Sequence, residues 1–191
     1  MESALIVSCV EKSTAFFSEL LITADIPPNQ ITVLNTCGEA RRLLLERDFD
    51  LVIINAPLRD ESGESFARHI AARNTSQVIL IVKAEYFDSV SANCEKDGVL
   101  TISKPLSRAV CWSALSLAKS AQSRIKRMQN ENTRLLQKIE DIRIVDRAKC
   151  LLISCMGMNE KEAHRYIEKQ AMDMRLTKRE VAESVLRTYE D

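Results

Sequence analysis

The chain has 191 residues, and its 27 lysines and arginines balance 27 aspartates and glutamates, so the formal net charge is zero. Hydrophobic residues make up 46% and charged residues 28%, which is typical of a globular domain of ordinary size with a small appendage. No apolar run approaches the roughly 20 residues that span a bilayer, and no basic leader precedes the first apolar stretch. The composition therefore predicts a cytoplasmic protein without membrane contact.

Cysteines and histidines give no sign of a metal centre. The six cysteines are irregularly spaced without a Cys-x-x-Cys pair, and the two histidines, His69 and His164, are not placed to complete a ligand set. We expect reduced, mostly buried thiols and no metal. The chain also shows no nucleophile beside a placed base and no glycine-rich phosphate loop, so we predict neither catalytic residues nor a cofactor.

Strand and helix patterns alternate through the first hundred residues. Buried-strand runs are predicted at 4–8, 31–34, 50–55, 77–82 and 98–102, and helical stretches at 12–23, 38–47, 62–72 and 85–96. Five strands that alternate with helices predict an α/β fold, a doubly wound five-stranded parallel sheet. Any site would lie beyond the C-terminal ends of the strands.

This alternation is similar to the receiver domain of bacterial response regulators. Lys104-Pro105, after the fifth strand, matches the Lys-Pro signature of that family. Gly63, eight residues after Asn55, matches the glycine that follows the phosphoacceptor loop. The resemblance implies a receiver-like fold for the first part of the chain.

The residues that carry receiver chemistry are replaced in this chain. The resemblance places the phosphorylated aspartate at Asn55, the magnesium-binding acidic pair near Ser8 and Cys9, and a Ser or Thr at Lys83. An amide cannot form an acyl phosphate, and a hydroxyl and a thiol are poor ligands for a hard cation. Glu11, Asp60 and Glu61 are close in sequence and leave a rebuilt site open. We predict a degenerate, pseudo-receiver pocket made of Ser8, Cys9, Lys83 and Lys104.

After Pro105 the pattern changes to one long helix. Apolar side chains recur at alternating steps of three and four residues, the a and d positions of a heptad seam. An asparagine at an a position costs stability, but it fixes register and favours two strands. No other segment remains to cover so long a seam, so we favour a parallel homodimer over packing of this helix on its own domain. The seam consists of Ile125, Met128, Asn132, Leu135, Ile139 and Ile142.

The C-terminal segment shows three short helical patterns with strong punctuation. Gly157 is placed to end the first helix, and Asn159 and Thr177 each stand three residues before a glutamate, the capping-box pattern that opens a helix. Apolar residues at three- and four-residue spacing predict a compact three-helix bundle with its basic side chains outside. The chain is thus divided into a pseudo-receiver domain (1–106), a coiled-coil linker helix (107–145) and a three-helix domain (146–191).

A second family resemblance rests on five segments of this unit. They are Ala148-Lys149, Glu162 to Ile167, Lys169 to Asp173, Arg175, and Glu180-Val181-Ala182. Together they resemble the ANTAR domain, the RNA-binding unit of AmiR/NasR-type antitermination regulators. One departure is Cys150, where the family usually has glycine. The resemblance implies RNA binding through exposed basic residues, for which the candidates are Lys149, Arg165, Lys169, Arg175, Lys178 and Arg179.

The two resemblances imply a dimeric transcription antiterminator that binds paired hairpins in leader transcripts. Residues 124–191 hold 15 basic and 12 acidic residues, net +3, a sign that suits nucleic acid. Because Asn55 cannot be phosphorylated as an aspartate is, we expect control by a regulatory protein, a small ligand or abundance. A coiled-coil scaffold that does not bind RNA and a DNA-binding helix-turn-helix regulator remain the alternatives.

Overall fold

The computed structural model describes residues 1–73 and 76–189, which belong to two compact units, Met1–Lys126 and Arg127–Asp191. A five-stranded sheet forms the centre of the first unit, and all four pairs of neighbouring strands are parallel. The strand order is β2-β1-β3-β4-β5. The strands are β1 (Ala4–Val7), β2 (Ile31–Leu34), β3 (Leu51–Asn55), β4 (Gln77–Val82) and β5 (Leu100–Ser103).

Helices cover both faces of this sheet. They are α1 (Glu11–Thr23), α2 (Cys37–Glu46), α3 (Glu64–Ala72), α4 (Ala84–Glu95) and α5 (Arg108–Met156), and a 3-10 turn precedes β2 at Pro28–Gln30. Alternate strand residues face two separate cores, so that Val52 and Ile54 pack with α2 and α3, while Leu51 and Ile53 pack with α1 and the first part of α5. The predicted doubly wound sheet is confirmed.

The fifth strand begins two residues later than the sequence pattern predicts. Gly98 has a φ of 76°, and the N–H of Val99 donates to the carbonyl of Cys94, so both residues still belong to the turn that ends α4. A left-handed backbone of this kind favours glycine. Regular pairing with β4 therefore starts at Leu100.

Polar contacts fasten the first part of α5 to the strand edge of its own unit. The Lys119 ammonium donates to the carbonyl of Ala24 (2.7 Å), and the Lys126 ammonium lies 2.9 Å from the carboxylate of Asp50. The backbone N–H of Glu2 also donates to Asp50. These contacts add directional bonds to the apolar packing of this stretch of α5.

The second unit is a small helical bundle. The last part of α5 packs with α6 (Glu160–Met174) and α7 (Lys178–Tyr189) around a buried apolar core. Both predicted capping boxes are present: the Asn159 side chain accepts from the N–H of Glu162 (3.0 Å), and the Thr177 hydroxyl accepts from the N–H of Glu180 (3.2 Å). The core consists of Ala148, Leu152, Ala163, Ile167, Ala171, Val181, Ala182 and Val185.

The first of the three predicted C-terminal helices is the end of α5. The helix runs through residues 145 and 146 without interruption, and neither glycine nor proline occurs between 108 and 156. It ends before Gly157, which has a φ of 66°. The three-part division at 106 and 145 stays a prediction.

All six cysteines are free thiols. Cys37, Cys94 and Cys111 are buried, as predicted, and Cys9 is half-buried. The prediction of burial is wrong for Cys150 and Cys155, because both lie on the outer side of α5 rather than on the face that packs in the bundle. No helix in the described part of the chain combines the length and the apolar character needed to cross a membrane.

Candidate nucleic-acid interface

A groove on the second unit brings together three of the predicted RNA-binding cations. Lys149 reaches it from α5, and Lys178 and Arg179 reach it from the first turn of α7. Its volume is about 780 Å³, and its apolar lining is contributed by Ile142 and Val145 of α5. An apolar lining with convergent cations suits a ligand that has both a flat apolar part and negative charge.

Lys149 and Lys178 are held in place by carboxylates. The Lys149 ammonium lies 2.8 Å from Asp146, one turn earlier on α5, and 3.6 Å from Glu160 at the start of α6. The Lys178 ammonium contacts Glu168 of α6. The hydrogen bond to Asp146 raises the pKa of Lys149, and the bond from Lys178 lowers the pKa of Glu168. Both lysines are therefore positioned before any ligand arrives.

Arg179 has two carboxylate partners. Its Nε donates to Glu183 one turn later on α7, and its Nη1 donates to Asp141 of α5, each at 2.8 Å. The bond to Glu183, and after it the bond to Asp141, raises the pKa of the Arg179 guanidinium. Asp141 also accepts from the amide of Gln137 (2.9 Å), and the bonds from Gln137 and Arg179 lower the pKa of its carboxyl group.

The other three predicted cations lie outside this groove. Arg165 lines a neighbouring shallow depression of about 340 Å³, and His164 borders both sites. Lys169 is one turn further along α6. Neither Lys169 nor Arg175 lines the groove or the depression. Arg175 is the C-terminal cap of α6 and has a φ of 56°. None of these three forms an ion pair with another described residue, so their charges are available to phosphate.

Several residues of the groove were missed from sequence. Asp146 and Lys149 are three apart on one helix, a spacing from which the pair could have been found. Glu168 and Asp141 approach their partners between helices, so no local pattern signals them. Tyr166 is half-buried against the bundle core, a position typical of a packing residue rather than of a base-stacking one.

The predicted coiled-coil seam is an exposed apolar row on α5. Within the second unit, Met128, Leu135, Ile139 and Ile142 have between 48% and 68% of their surface exposed. Asn132 is exposed as well. An exposed apolar row of this length, interrupted only by Asn132, is typical of an interaction surface on a charged helix. Ile142 also lines the groove, so the groove opens beside the seam.

The pocket at the C-terminal ends of the strands is built from neutral donors and cations. Asn55 is buried, its amide nitrogen donates to the Ser8 hydroxyl (3.0 Å), and its carbonyl oxygen has no donor among the described residues. The Lys104 ammonium donates to the carbonyl of Ala56 (2.6 Å), and burial lowers the pKa of Lys104. The thiol of Cys9 is 3.7 Å from the carbonyl of Pro57. Lys83, at the N-terminal cap of α4, is exposed.

This donor set does not fit a magnesium ion. The nearby carboxylates are engaged at α2: Asp60 accepts from the N–H groups of Cys37 and Gly38, and Glu61 lies 2.8 Å from Arg41. These carboxylates and the Cys37 thiol lie within 4.8 Å of one another, but burial and the bond to Glu61 raise the pKa of the thiol, which therefore stays protonated. Glu11 is exposed in the first turn of α1. Hard cations prefer carboxylate oxygens, and no described residue supplies one to the pocket around Asn55.

Comparisons with known proteins agree with both halves of the fold. The family model of the ANTAR domain matches residues 133–186. The transcriptional regulatory protein PdtaR of Mycobacterium tuberculosis is 31% identical over 139 residues, which cover 73% of this chain and 68% of PdtaR. A signal receiver domain from Pseudomonas fluorescens Pf-5 superimposes with a TM-score of 0.56 at 22% identity, covering 66% of this chain and 92% of that one. A receiver domain from Clostridium thermocellum gives 0.55 at 18% identity, covering 64% and 98%.

A receiver-type sheet followed by an ANTAR helical bundle defines a response regulator of transcription. The chain belongs to the family of ANTAR-domain response regulators, and it is a transcription antitermination regulator with a receiver domain. This family is regulatory rather than enzymatic. The receiver structures share the fold only, because their identities lie below 25%.

Proposed function

We propose that this regulator binds RNA through the groove lined by Lys149, Lys178 and Arg179, as a homodimer that occupies two neighbouring hairpins of a leader transcript. The observation that carries the proposal is the convergence of these three cations, from two helices, around the apolar lining of Ile142 and Val145. Arg165, Lys169 and Arg175 extend the cationic surface with charges that no described carboxylate neutralises. This function takes place in the cytoplasm, on nascent transcripts.

An unpaired hairpin-loop base fits the chemistry of the groove. Sequence-specific RNA readers take bases of single-stranded loops, which are splayed out and held by packing and by hydrogen bonds to their edges. The apolar side chain of Val145 offers a packing surface, and the carboxylate of Asp146 lines the same groove as a hydrogen-bond acceptor. The cations at its rim would bind the flanking phosphates, which makes binding salt-dependent.

The exposed seam of α5 supports dimerisation. Pairing with a second copy would bury the apolar row of Met128, Leu135, Ile139 and Ile142, and Asn132 would fix the register of two strands. Two bundles on one coil would then engage two hairpins with an avidity set by the spacing of the hairpins. Occupied hairpins would keep the transcript from forming its terminator stem, so that the polymerase continues.

We further propose that aspartyl phosphorylation does not control this receiver domain. Asn55 lacks a nucleophilic oxygen, and the pocket as described holds no carboxylate for magnesium. A regulatory protein or a small ligand would act instead. A depression of about 420 Å³ next to the pocket, lined by Pro57, Val82, Lys83 and Tyr86 among others, is large enough for part of such a partner.

Binding to three nucleic acids tests the function. The purified chain would be titrated with an RNA of two adjacent stem-loops, a single stem-loop and a DNA duplex, at several salt concentrations, with the molecular mass recorded on the same samples. We expect tight, salt-sensitive binding of a dimer to the paired RNA and weaker binding to the other two. The variants R165A and K169A should lower the salt dependence, each by about 0.7 to 0.9 in slope for every phosphate that the variant no longer neutralises.

Two outcomes would contradict this function. Equal affinity for the DNA duplex would indicate a DNA-binding regulator, and the absence of binding to any RNA would indicate a scaffold. Arg187 serves as the matched control, because it is an exposed cation of α7 that lines neither the groove nor the depression around Arg165. The variant R187A should keep the wild-type affinity for the paired RNA.

A further inference from the structure

The heptad register of α5 gives Lys138 and Arg143 a special position. With Ile139 at a and Ile142 at d, Lys138 occupies the g position and Arg143 the e position of the next heptad. In a parallel, in-register coiled coil, each g residue faces the following e residue of the other helix. Lys138 of one protomer would therefore face the partner's Arg143, and the two-fold symmetry repeats this contact on the opposite flank.

The other g-to-e contacts along the seam do not offset this repulsion. The same geometry sets Arg124 opposite the partner's Gln129, and Glu131 opposite the partner's Leu136. Neither combination pairs opposite charges. The one g-to-e contact that joins two charged residues is therefore repulsive. With Lys138 and Arg143 from both protomers, it places four cations in a single heptad of the dimer.

Charges within the chain leave this flank largely uncompensated. The Arg143 guanidinium is 3.8 Å from Glu140, and both side chains are more than half exposed, so the pair is weak. Lys138 has no ion pair with a described residue. Asp141, one turn after Lys138, already accepts from Gln137 and Arg179.

We propose that Lys138 and Arg143 form a binding site for RNA backbone on the dimer coil, so that RNA binding and dimerisation are thermodynamically coupled. The inference rests on the proposed function, because it requires both the parallel dimer and RNA as ligand. A phosphate placed between Lys138 and the partner's Arg143 would convert a repulsive contact into two attractive ones. Gln137, Asp141 and Ile142 line the RNA groove, so a strand that leaves the groove along α5 passes this flank.

Coupling of this kind has a defined thermodynamic signature. If RNA binds the dimer more tightly than the monomer, then RNA must lower the dimer dissociation constant by the same factor. The regulator would then remain weakly associated without RNA, through the repulsive flank and the asparagine of the seam. It would assemble where a transcript supplies the neutralising phosphates.

Charge reversal at one position tests the site. The variant K138E would place a glutamate opposite the partner's Arg143 and turn repulsion into attraction on both flanks. We expect its dimer dissociation constant without RNA, measured by sedimentation, to fall roughly three- to tenfold. Its affinity for an RNA of two adjacent stem-loops should drop severalfold. The double variant K138E/R143E restores like charges, so its dimer should weaken again while its RNA affinity drops further.

The control is R134E, which makes the same charge change one turn away, at a c position that faces no partner residue. Its dimer dissociation constant should remain that of the wild type. The inference is overturned if K138E leaves the dimer unchanged, if R134E matches it, or if a DNA duplex tightens the wild-type dimer as much as the RNA does. A wild-type chain that binds no RNA would instead contradict the proposed function, and the coupling with it.

Discussion

The guanidinium of Arg179 lies 2.8 Å from the carboxylate of Asp141, a contact that joins the first turn of α7 to α5. The pair lines the groove to which we assign RNA binding. The same bond that positions Arg179 therefore occupies a donor that a phosphate would use. The Asp141 carboxylate and an RNA phosphate would therefore compete for the Arg179 guanidinium.

Removing this competitor should strengthen RNA binding. In D141N the neutral amide no longer balances the Arg179 charge, so we expect the affinity for paired stem-loop RNA to rise severalfold and the salt dependence to steepen. The bundle should lose some thermal stability, because a charge-assisted bond becomes a neutral one. D173N, the same Asp-to-Asn change at an exposed residue of α6 outside the groove, is the control for both measurements. Weaker RNA binding by D141N would show that Asp141 reads the RNA directly.

Asp50 makes the stability of the receiver unit pH-dependent. Burial disfavours its charged form, but the bonds from the Glu2 N–H and the Lys126 ammonium outweigh burial and lower the pKa of the Asp50 carboxyl group. A group with a depressed pKa in the folded state contributes stability above its unfolded pKa, near 4, and loses it as the pH falls further. We expect D50N to lower the free energy of unfolding by about 1 to 2 kcal/mol at pH 7 and by progressively less below pH 4.

The fluorescence of Trp112 reports this unfolding, because the single tryptophan of the chain lies in the first part of α5. Denaturant titration at pH 7 and at pH 3 gives the two free energies of unfolding. D48N, a change of a nearby exposed aspartate, should cost little at either pH. A difference between D50N and the wild type that does not change with pH would exclude a role for the charge.

The asparagine of the seam should set specificity at the expense of stability. In N132L an apolar side chain completes the row between Met128 and Leu135, so the dimer dissociation constant should fall roughly tenfold or more. Without the polar asparagine, other registers and oligomers should also form, visible by sedimentation as mixed masses. The variant I139D, which places a charge in the seam, should give monomers and abolish the preference for paired over single stem-loops. If monomeric I139D still preferred paired over single stem-loops, the preference could not arise from avidity of a dimer.

Restoring the aspartate alone should not restore phosphorylation. N55D supplies the nucleophile, but Ser8 and Cys9 still offer no carboxylate for magnesium, and Lys104 alone does not replace the metal. We expect no phosphoryl adduct by intact-mass spectrometry after incubation with acetyl phosphate and magnesium. The triple variant S8D/C9D/N55D is the matched comparison and should gain magnesium binding. Phosphorylation of N55D by itself would show that a carboxylate elsewhere serves the metal.

Local patterns in the sequence predict the elements well, because each signal acts within a few residues. The β-branched run of β3 and the capping boxes at Asn159 and Thr177 form as predicted. The start of β5 is misplaced, because the left-handed Gly98 belongs to a turn rather than to the strand. α5 runs without interruption through residue 145, so the boundary predicted there between linker and bundle stays a prediction.

The candidate site is only partly readable from sequence. A family resemblance indicates the basic residues, but it does not show that Lys149, Lys178 and Arg179 share a groove while Lys169 and Arg175 lie outside it. That grouping depends on how the helices pack. The same holds for Glu168, which meets Lys178 ten residues later across an interhelical turn.

The left-handed backbone of Arg175 has an evolutionary consequence. Glycine adopts a φ of 56° without penalty, whereas a side chain there costs about 1 kcal/mol. We expect R175G to melt at a higher temperature than the wild type and to bind the paired RNA more weakly, and R175K to keep most of the binding. Selection for folding alone would favour glycine at this position. Arginine at this position trades stability for a positive charge at the C-terminal end of α6. A library selected only for thermostability should lose this arginine early.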